Sequence, residues 1–184
     1  MAKGPGKGGK RRPPDHGNLK NKPFDLLRML RSLNEHGVSF LVIGGVAGTL
    51  HGSPTMTRDL DICYERSWPN LTALASVLRE LNANLRGADA GLPFQLDAKT
   101  LQLGDNFTFE TDAGSLDCIG TPDGTNGYPD LIRKAAAYAV GGITVKVVGL
   151  DDLIRMKQAT GRPKDRIESE VLNAVRAEID GDAP

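Results

Sequence analysis

The sequence predicts one α/β (α+β) domain: a small mixed β-sheet flanked by helices, with a helical C-terminus. Three observations predict it. Apolar runs of strand length alternate with stretches of helical periodicity, in the order αβαβαββαβαα. Two alternating runs, Phe107-Thr108-Phe109 and Leu116-Asp117-Cys118-Ile119, flank the turn residues Asp112-Ala113-Gly114 and read as a hairpin. The length, 184 residues, with 39 % apolar and 25 % charged side chains, suits a single domain with a sizeable core.

Taken in order, residues 23–36 read as an amphipathic helix with Phe24, Leu27, Leu30 and Leu33 near one stripe. Pro23 suits its first turn and Gly37 its C′ position. Residues 39–43 form a short buried strand ended by Gly44-Gly45, and 46–51 a short helix broken by Gly52-Ser53-Pro54. A second strand spans 58–64. Ser67 then caps a helix through about Asn82, with Leu71, Leu74, Leu78 and Leu81 facing the core. Residues 84–98 carry little periodic signal. The hairpin occupies 106–119, a helix opening at Pro129 runs to about Tyr138, and 143–148 is a strand. A helix over 150–160 stops at Gly161, and Pro163 starts the last one.

The formal net charge is zero but unevenly placed. Residues 1–22 hold Lys3, Lys7, Lys10, Arg11, Arg12, Lys20 and Lys22 against Asp15 alone, a net +6 balanced by −6 over the rest. This segment is rich in Gly and Pro and nearly free of apolar side chains, which predicts a disordered basic tail before a domain at 23–180. It serves either as a solvated tail or as an electrostatic arm for a polyanion such as RNA. No apolar run approaches the ~20 residues of a membrane span, and the N-terminus lacks a signal peptide's apolar stretch. Cys63 and Cys118 have no CxxC partner, so they read as buried free thiols in a reducing cytoplasm.

The chemistry lies in Arg58-Asp59-Leu60-Asp61-Ile62. Residues i and i+2 of a strand share a face, about 6–7 Å apart. Asp59 and Asp61 therefore project together while Leu60 and Ile62 enter the core. Two neighbouring carboxylates on a half-buried strand repel unless a cation lies between them. Mg²⁺ suits such a pair, with Mn²⁺ as the alternative, because it takes oxygen ligands and phosphate oxygens together. Upstream, Phe40-Leu41-Val42-Ile43-Gly44-Gly45 runs from strand through diglycine into helix. That arrangement lets backbone approach a phosphate closely, and it also suits a tight turn with no ligand. Asp117, between apolar Leu116 and Cys118, is either an exposed strand residue or a third carboxylate. Arg58 points to the opposite strand face and is placed to pair with an acid or reach a phosphate. His51 reads as a capped polar residue or a base, and Trp68 as a helix anchor or a stacking platform.

Ile43-Gly44-Gly45-Val46-Ala47, His51-Gly52 and Thr57-Arg58-Asp59-Leu60-Asp61 resemble the signature of the nucleotidyltransferase superfamily with the polymerase-β-like palm. Thirteen residues separate Gly45 from Asp59, close to that family's spacing. The nearest resemblance is to the AbiEii/MenT-like minimal nucleotidyltransferases. Lys157, followed by Gly161-Arg162-Pro163-Lys164-Asp165, is similar to their closing motif. The Leu116-Asp117-Cys118 strand fits the pattern only loosely, and Glu168 is the nearest candidate for the carboxylate that follows Lys-Asp in many relatives.

The resemblance implies transfer of a nucleoside monophosphate from an NTP to an acceptor hydroxyl. Asp59, Asp61 and Asp117 would be the catalytic, metal-binding carboxylates. Gly44, Gly45, Arg58, Lys157, Arg162, Lys164 and Asp165 would form the nucleotide site. A purely local reading makes Lys157 and Arg162 dipole partners of a helix C-terminus. The closing motif and the basic arm together favour a toxin of a toxin–antitoxin pair acting on the 3′ end of tRNA, with a cognate antitoxin as partner. The alternatives are an enzyme that adenylylates a partner protein or a small molecule such as an aminoglycoside, and an inactive palm that only binds nucleotide or RNA.

Overall fold

The computed structural model describes residues 23–87 and 94–181; the basic tail expected over 1–22 lies outside them. Seven strands form one mixed sheet in the order β3-β4-β5-β2-β1-β7-β6. Seven helices accompany it among the described residues.

The first helix, α1 (Leu26–Glu35), starts three residues later than expected because Asp25, not Pro23, sits at its N-cap and accepts from the Arg28 N–H. Its C-terminus is closed by Gly37 at φ +66°, with the Val38 N–H reaching back to the Leu33 carbonyl. Four fully apolar residues build β1 (Phe40–Ile43), and the diglycine opens α2 (Gly44–Leu50). Strand β2 (Asp59–Tyr64) returns antiparallel to β1. In α3 (Trp68–Glu80), Leu71, Leu74 and Leu78 are fully buried, and so is Leu81 just beyond it. Ser67 occupies the N-cap position but does not cap, since its hydroxyl is hydrogen-bonded to Glu65 instead.

The stretch without periodic signal, 84–98, holds β3 (Asn84–Leu85), and α4 (Ala98–Leu103) starts at its last residue. The expected hairpin forms as β4 (Asn106–Thr111) and β5 (Gly114–Ile119). Its second strand lies parallel to β2, so β1, β2 and β5 make the centre of the sheet.

The helix expected over 129–138 is largely a strand. Only α5 (Tyr128–Leu131) and a 3-10 turn, Ile132–Lys134, are helical; β6 (Ala136–Val140) follows and pairs antiparallel with β7 (Ile143–Val147). The run of alanines favours helix intrinsically. The turn after it decides otherwise: Gly141 and Gly142 both take positive φ (55° and 81°), the backbone of a tight two-residue hairpin. Helix α6 (Leu150–Thr160) ends at Gly161, φ +66°, and α7 (Pro163–Gly181), expected to start at Pro163, is the last element among the described residues.

One face of the sheet joins α1 and α3 through Met29, Leu33, Leu60, Ile62, Leu74 and Leu116, all fully buried. The opposite face carries the β2 and β5 acids and is bordered by α2, α6 and α7. Trp68 is 54 % exposed and so does not anchor α3 in the core. Cys63 and Cys118 are buried free thiols. Among the described residues, no helix is long and apolar enough to cross a membrane.

Candidate active site

Strand register assembles the carboxylates. Asp61 of β2 lies directly opposite Asp117 of β5, and Asp59 is two residues along the same strand. Paired residues in a sheet share a face, so all three side chains emerge together. Each offers an oxygen within 4.8 Å of the others.

The environment of each acid differs. Asp59 accepts a hydrogen bond from the Thr57 hydroxyl. Burial, reinforced by the charges of Asp59 and Asp117, pushes Asp61 up to about 7, against the opposing pull of Lys157 and of a hydrogen bond from the Gly45 N–H. Burial also raises Asp117, although Arg86 opposes it. The Arg86 guanidinium is 3.8 Å from Asp117 Oδ1, too far for a hydrogen bond. Oδ1 is consequently a buried oxygen with no hydrogen-bond partner among the described residues. An oxygen in that state costs free energy unless something electropositive reaches it.

Those observations test whether the residues fit a divalent cation, and they do. Three hard oxygen donors converge, one is buried and unsatisfied, and one holds its proton to near neutrality because of burial and its two acidic neighbours.

The diglycine has a specific task beside them. Gly44 takes φ +63°, and a Cβ there would overlap the Asp61 carboxylate, whose Cγ would be only 2.6 Å away. A Cβ on Gly45 would meet the Thr57 side chain at 2.7 Å. Glycine at both positions lets β2 bring its acids hard against the start of α2. The Gly45 N–H is engaged by Asp61, so this helix start is already partly satisfied within the protein.

Across the cleft, α6 and α7 supply the cations. Lys157 Nζ contacts Asp165 Oδ1 at 3.1 Å and Glu168 Oε2 at 2.5 Å. Burial works against its charge, but both carboxylates together hold it above the ordinary lysine range. Burial would raise Asp165, yet hydrogen bonds from Thr160, Lys157 and Arg162 outweigh it and keep the acid low. Lys164 is 84 % exposed and reaches Glu168 Oε1 at 3.4 Å.

Two adjoining cavities result. One, of about 330 Å³, is lined by the three acids, Gly45, Lys157 and Lys164. The other, of about 220 Å³, extends past Gly44 and Asp61 between Ile119, Pro122 and Met156. Asp61, Lys157, Arg162 and Asp165 line both.

Of the residues expected in a site, Arg58 is not brought to the cleft. It is exposed, lies in a bend just before β2 and lines neither cavity. His51 is a structural strap. Its Nε2 donates to the Val148 carbonyl at 2.7 Å, which leaves Nδ1 to accept from the Tyr138 hydroxyl at 3.1 Å. Two residues without an expected role bear on the acids: Thr57 lines the larger cavity and donates to Asp59, and Arg86 lines neither cavity but lies 3.8 Å from Asp117. Thr57 stands inside the Thr-x-Asp-x-Asp run, whereas Arg86 lies in a stretch with no local signal.

No protein-family model matches the chain, and no curated protein matches it. Solved structures do. A lincosamide antibiotic adenylyltransferase, LnuA, with lincomycin bound, superposes with a TM-score of 0.57 at 10 % identity, over 82 % of this chain and 96 % of that one. A putative nucleotidyltransferase from Thermotoga maritima gives 0.51 at 14 % identity, over 85 % and 91 %. The chain therefore has the fold of these nucleotidyltransferases.

Proposed function

We propose that this protein transfers a nucleoside monophosphate from an NTP to an acceptor hydroxyl and releases pyrophosphate. The observation that carries the reading is the carboxylate cluster of Asp59, Asp61 and Asp117, with one orphaned oxygen, facing Lys157 across a cleft.

Asp59, Asp61 and Asp117 would hold Mg²⁺ or Mn²⁺, which supplies charge neutralisation at the phosphates and a more acidic acceptor hydroxyl. Lys157 and Lys164 face the triphosphate and oppose the charge that builds on the departing pyrophosphate. The acceptor oxygen bonds to the α-phosphorus as the bond to the β-phosphate oxygen breaks. The acceptor's proton passes to a carboxylate of the cluster, and Asp117 is the candidate if it serves as the acceptor's base rather than as a metal ligand, since its Oδ1 has no hydrogen-bond partner among the described residues. Gly44 and Gly45 border the phosphate path with backbone. Positioning and electrostatics carry most of the rate enhancement.

Two acceptors have specific support. The +6 charge of residues 1–22 favours RNA, read as the 3′ end of tRNA in a growth-inhibiting toxin. The likeness to LnuA, over nearly all of that chain, favours a small hydroxylated molecule. The test is to incubate the protein and Mg²⁺ with each α-labelled NTP and either total tRNA or a panel of lincosamides and aminoglycosides. Label should enter one acceptor class and be absent with Asp61→Asn. Label in neither class, with any NTP, overturns the reading.

A further inference from the structure

Asp165 and Glu168 both grip Lys157, but they are held differently. Asp165 is 4 % exposed and accepts from Thr160, Lys157 and Arg162, which fixes the turn between α6 and α7. Glu168 is one turn further along α7. Its partners among the described residues are Lys157, at 2.5 Å, and Lys164, at 3.4 Å. Both lysines line the cavity that holds Asp59, Asp61 and Asp117, and Glu168 lines it with them. Glu168 is not one of the three acids that converge as metal ligands.

That cavity is poor in positive charge for a triphosphate site. Its lining includes five carboxylates against Lys157, Arg162 and Lys164. A cation bound at the triad offsets its acids. Asp165 and Glu168 then still oppose three basic side chains, leaving little net charge for an NTP that carries about four negative charges. Glu168 contributes directly to that shortfall. Its two carboxylate oxygens face the Lys157 and Lys164 ammonium groups, at 2.5 and 3.4 Å, the groups that would meet an anionic phosphate in this cavity.

Resting on the nucleotidyltransferase reading, we propose that Glu168 is an internal counter-anion that occupies the triphosphate's place on Lys157 and Lys164 and must be displaced when an NTP binds. It sets nucleotide affinity by competition. Lys164, being largely exposed, is free to swing from Glu168 to the ligand, while Asp165 keeps Lys157 ordered throughout. The carboxylate also retakes the lysines as pyrophosphate departs, which favours product release.

The experiment compares wild type with Glu168→Gln, an isosteric change that keeps a hydrogen-bond acceptor beside Lys157 but removes the charge. Calorimetric titration with Mg²⁺-ATP, the other three NTPs and inorganic tripolyphosphate gives Kd for each. The expected result is at least fivefold tighter binding of the preferred NTP and of tripolyphosphate. Pyrophosphate inhibition should strengthen by a similar factor, and kcat should fall where product release limits turnover. Asp165→Asn separates the two acids and should loosen Lys157 and weaken binding. Unchanged or weaker NTP binding by Glu168→Gln, with the variant melting within a few degrees of wild type, overturns the proposal and makes Glu168 a positioning residue. If neither wild type nor variant binds any NTP, the nucleotidyltransferase reading itself fails.

Discussion

At the residue scale, the cleft is governed by charges that lack counter-charges. Asp61 carries the clearest consequence. Its folded value of about 7 exceeds the unfolded 3.8, so the native state holds a proton that the unfolded chain gives up. The sign follows: the Asp61 contribution to metal-free stability is fully present below about pH 4, is lost as pH rises from there through about 7, and is constant above. Asp61→Asn removes this penalty. The metal-free variant should match wild type near pH 4 and exceed it by roughly 1–3 kcal/mol at pH 8, read from denaturant unfolding. Mn²⁺ or Mg²⁺ should raise the melting temperature of wild type more at pH 8 than at pH 5, because metal displaces the proton, and should leave Asp61→Asn nearly unmoved. A variant that is less stable than wild type at pH 8 would show that Asp61 is held by protein partners rather than awaiting a cation. Gly44→Ala tests the adjoining contact. With φ at +63° and the Asp61 carboxylate where a Cβ would lie, the methyl group should cost about 2–4 kcal/mol and weaken metal binding, measured by melting and Mn²⁺ titration.

At the element scale, the stretch from β1 to β2 was legible because its signals are local. An apolar run, a diglycine and an alternating acid pair each declare their geometry within a few residues. Asp117 was legible only as an acid on an alternating strand. Its place opposite Asp61 depends on β5 pairing parallel with β2 across more than fifty residues of chain, a register no local pattern announces. Arg86 was hidden for the same reason: it lies next to a two-residue strand and reaches Asp117 only through the sheet. The β6–β7 hairpin shows a different failure, in which alanine propensity over 135–137 masked a Gly-Gly turn that both flanking runs obey. That hairpin is tied to the end of α2 by His51, which spans Val148 and Tyr138. His51→Ala should lower stability by about 1–3 kcal/mol in thermal unfolding, through two lost hydrogen bonds, while leaving Mn²⁺ affinity within twofold. A large loss of metal affinity would instead give His51 a part in the cleft.

At the scale of the whole molecule, charge segregation separates the two acceptor readings. Residues 1–22 carry +6 and the remainder −6, so the body by itself repels polyanions. If RNA is the acceptor, binding depends on the basic segment. Log Kd should then climb with log salt, with a slope of up to about 5 when seven cations each displace a counterion from single-stranded or loop phosphates. Deleting residues 1–22 should flatten that slope and weaken tRNA binding by at least tenfold at about 100 mM salt. Turnover on a saturating short hydroxyl acceptor should be retained, since the residues lining the two cavities all lie between 43 and 168. If a small molecule is the acceptor, the truncated protein should modify it at the full rate and with the same KM, whatever the salt. The two outcomes are exclusive at the level of KM. In the proposed reaction, a tail that contributes to catalysis on RNA must do so through encounter and affinity, because that proposal gives positioning of the α-phosphorus to the carboxylate cluster and to Lys157. A fall in kcat with unchanged KM on RNA would contradict that division of labour and place part of the basic segment inside the cleft during the reaction.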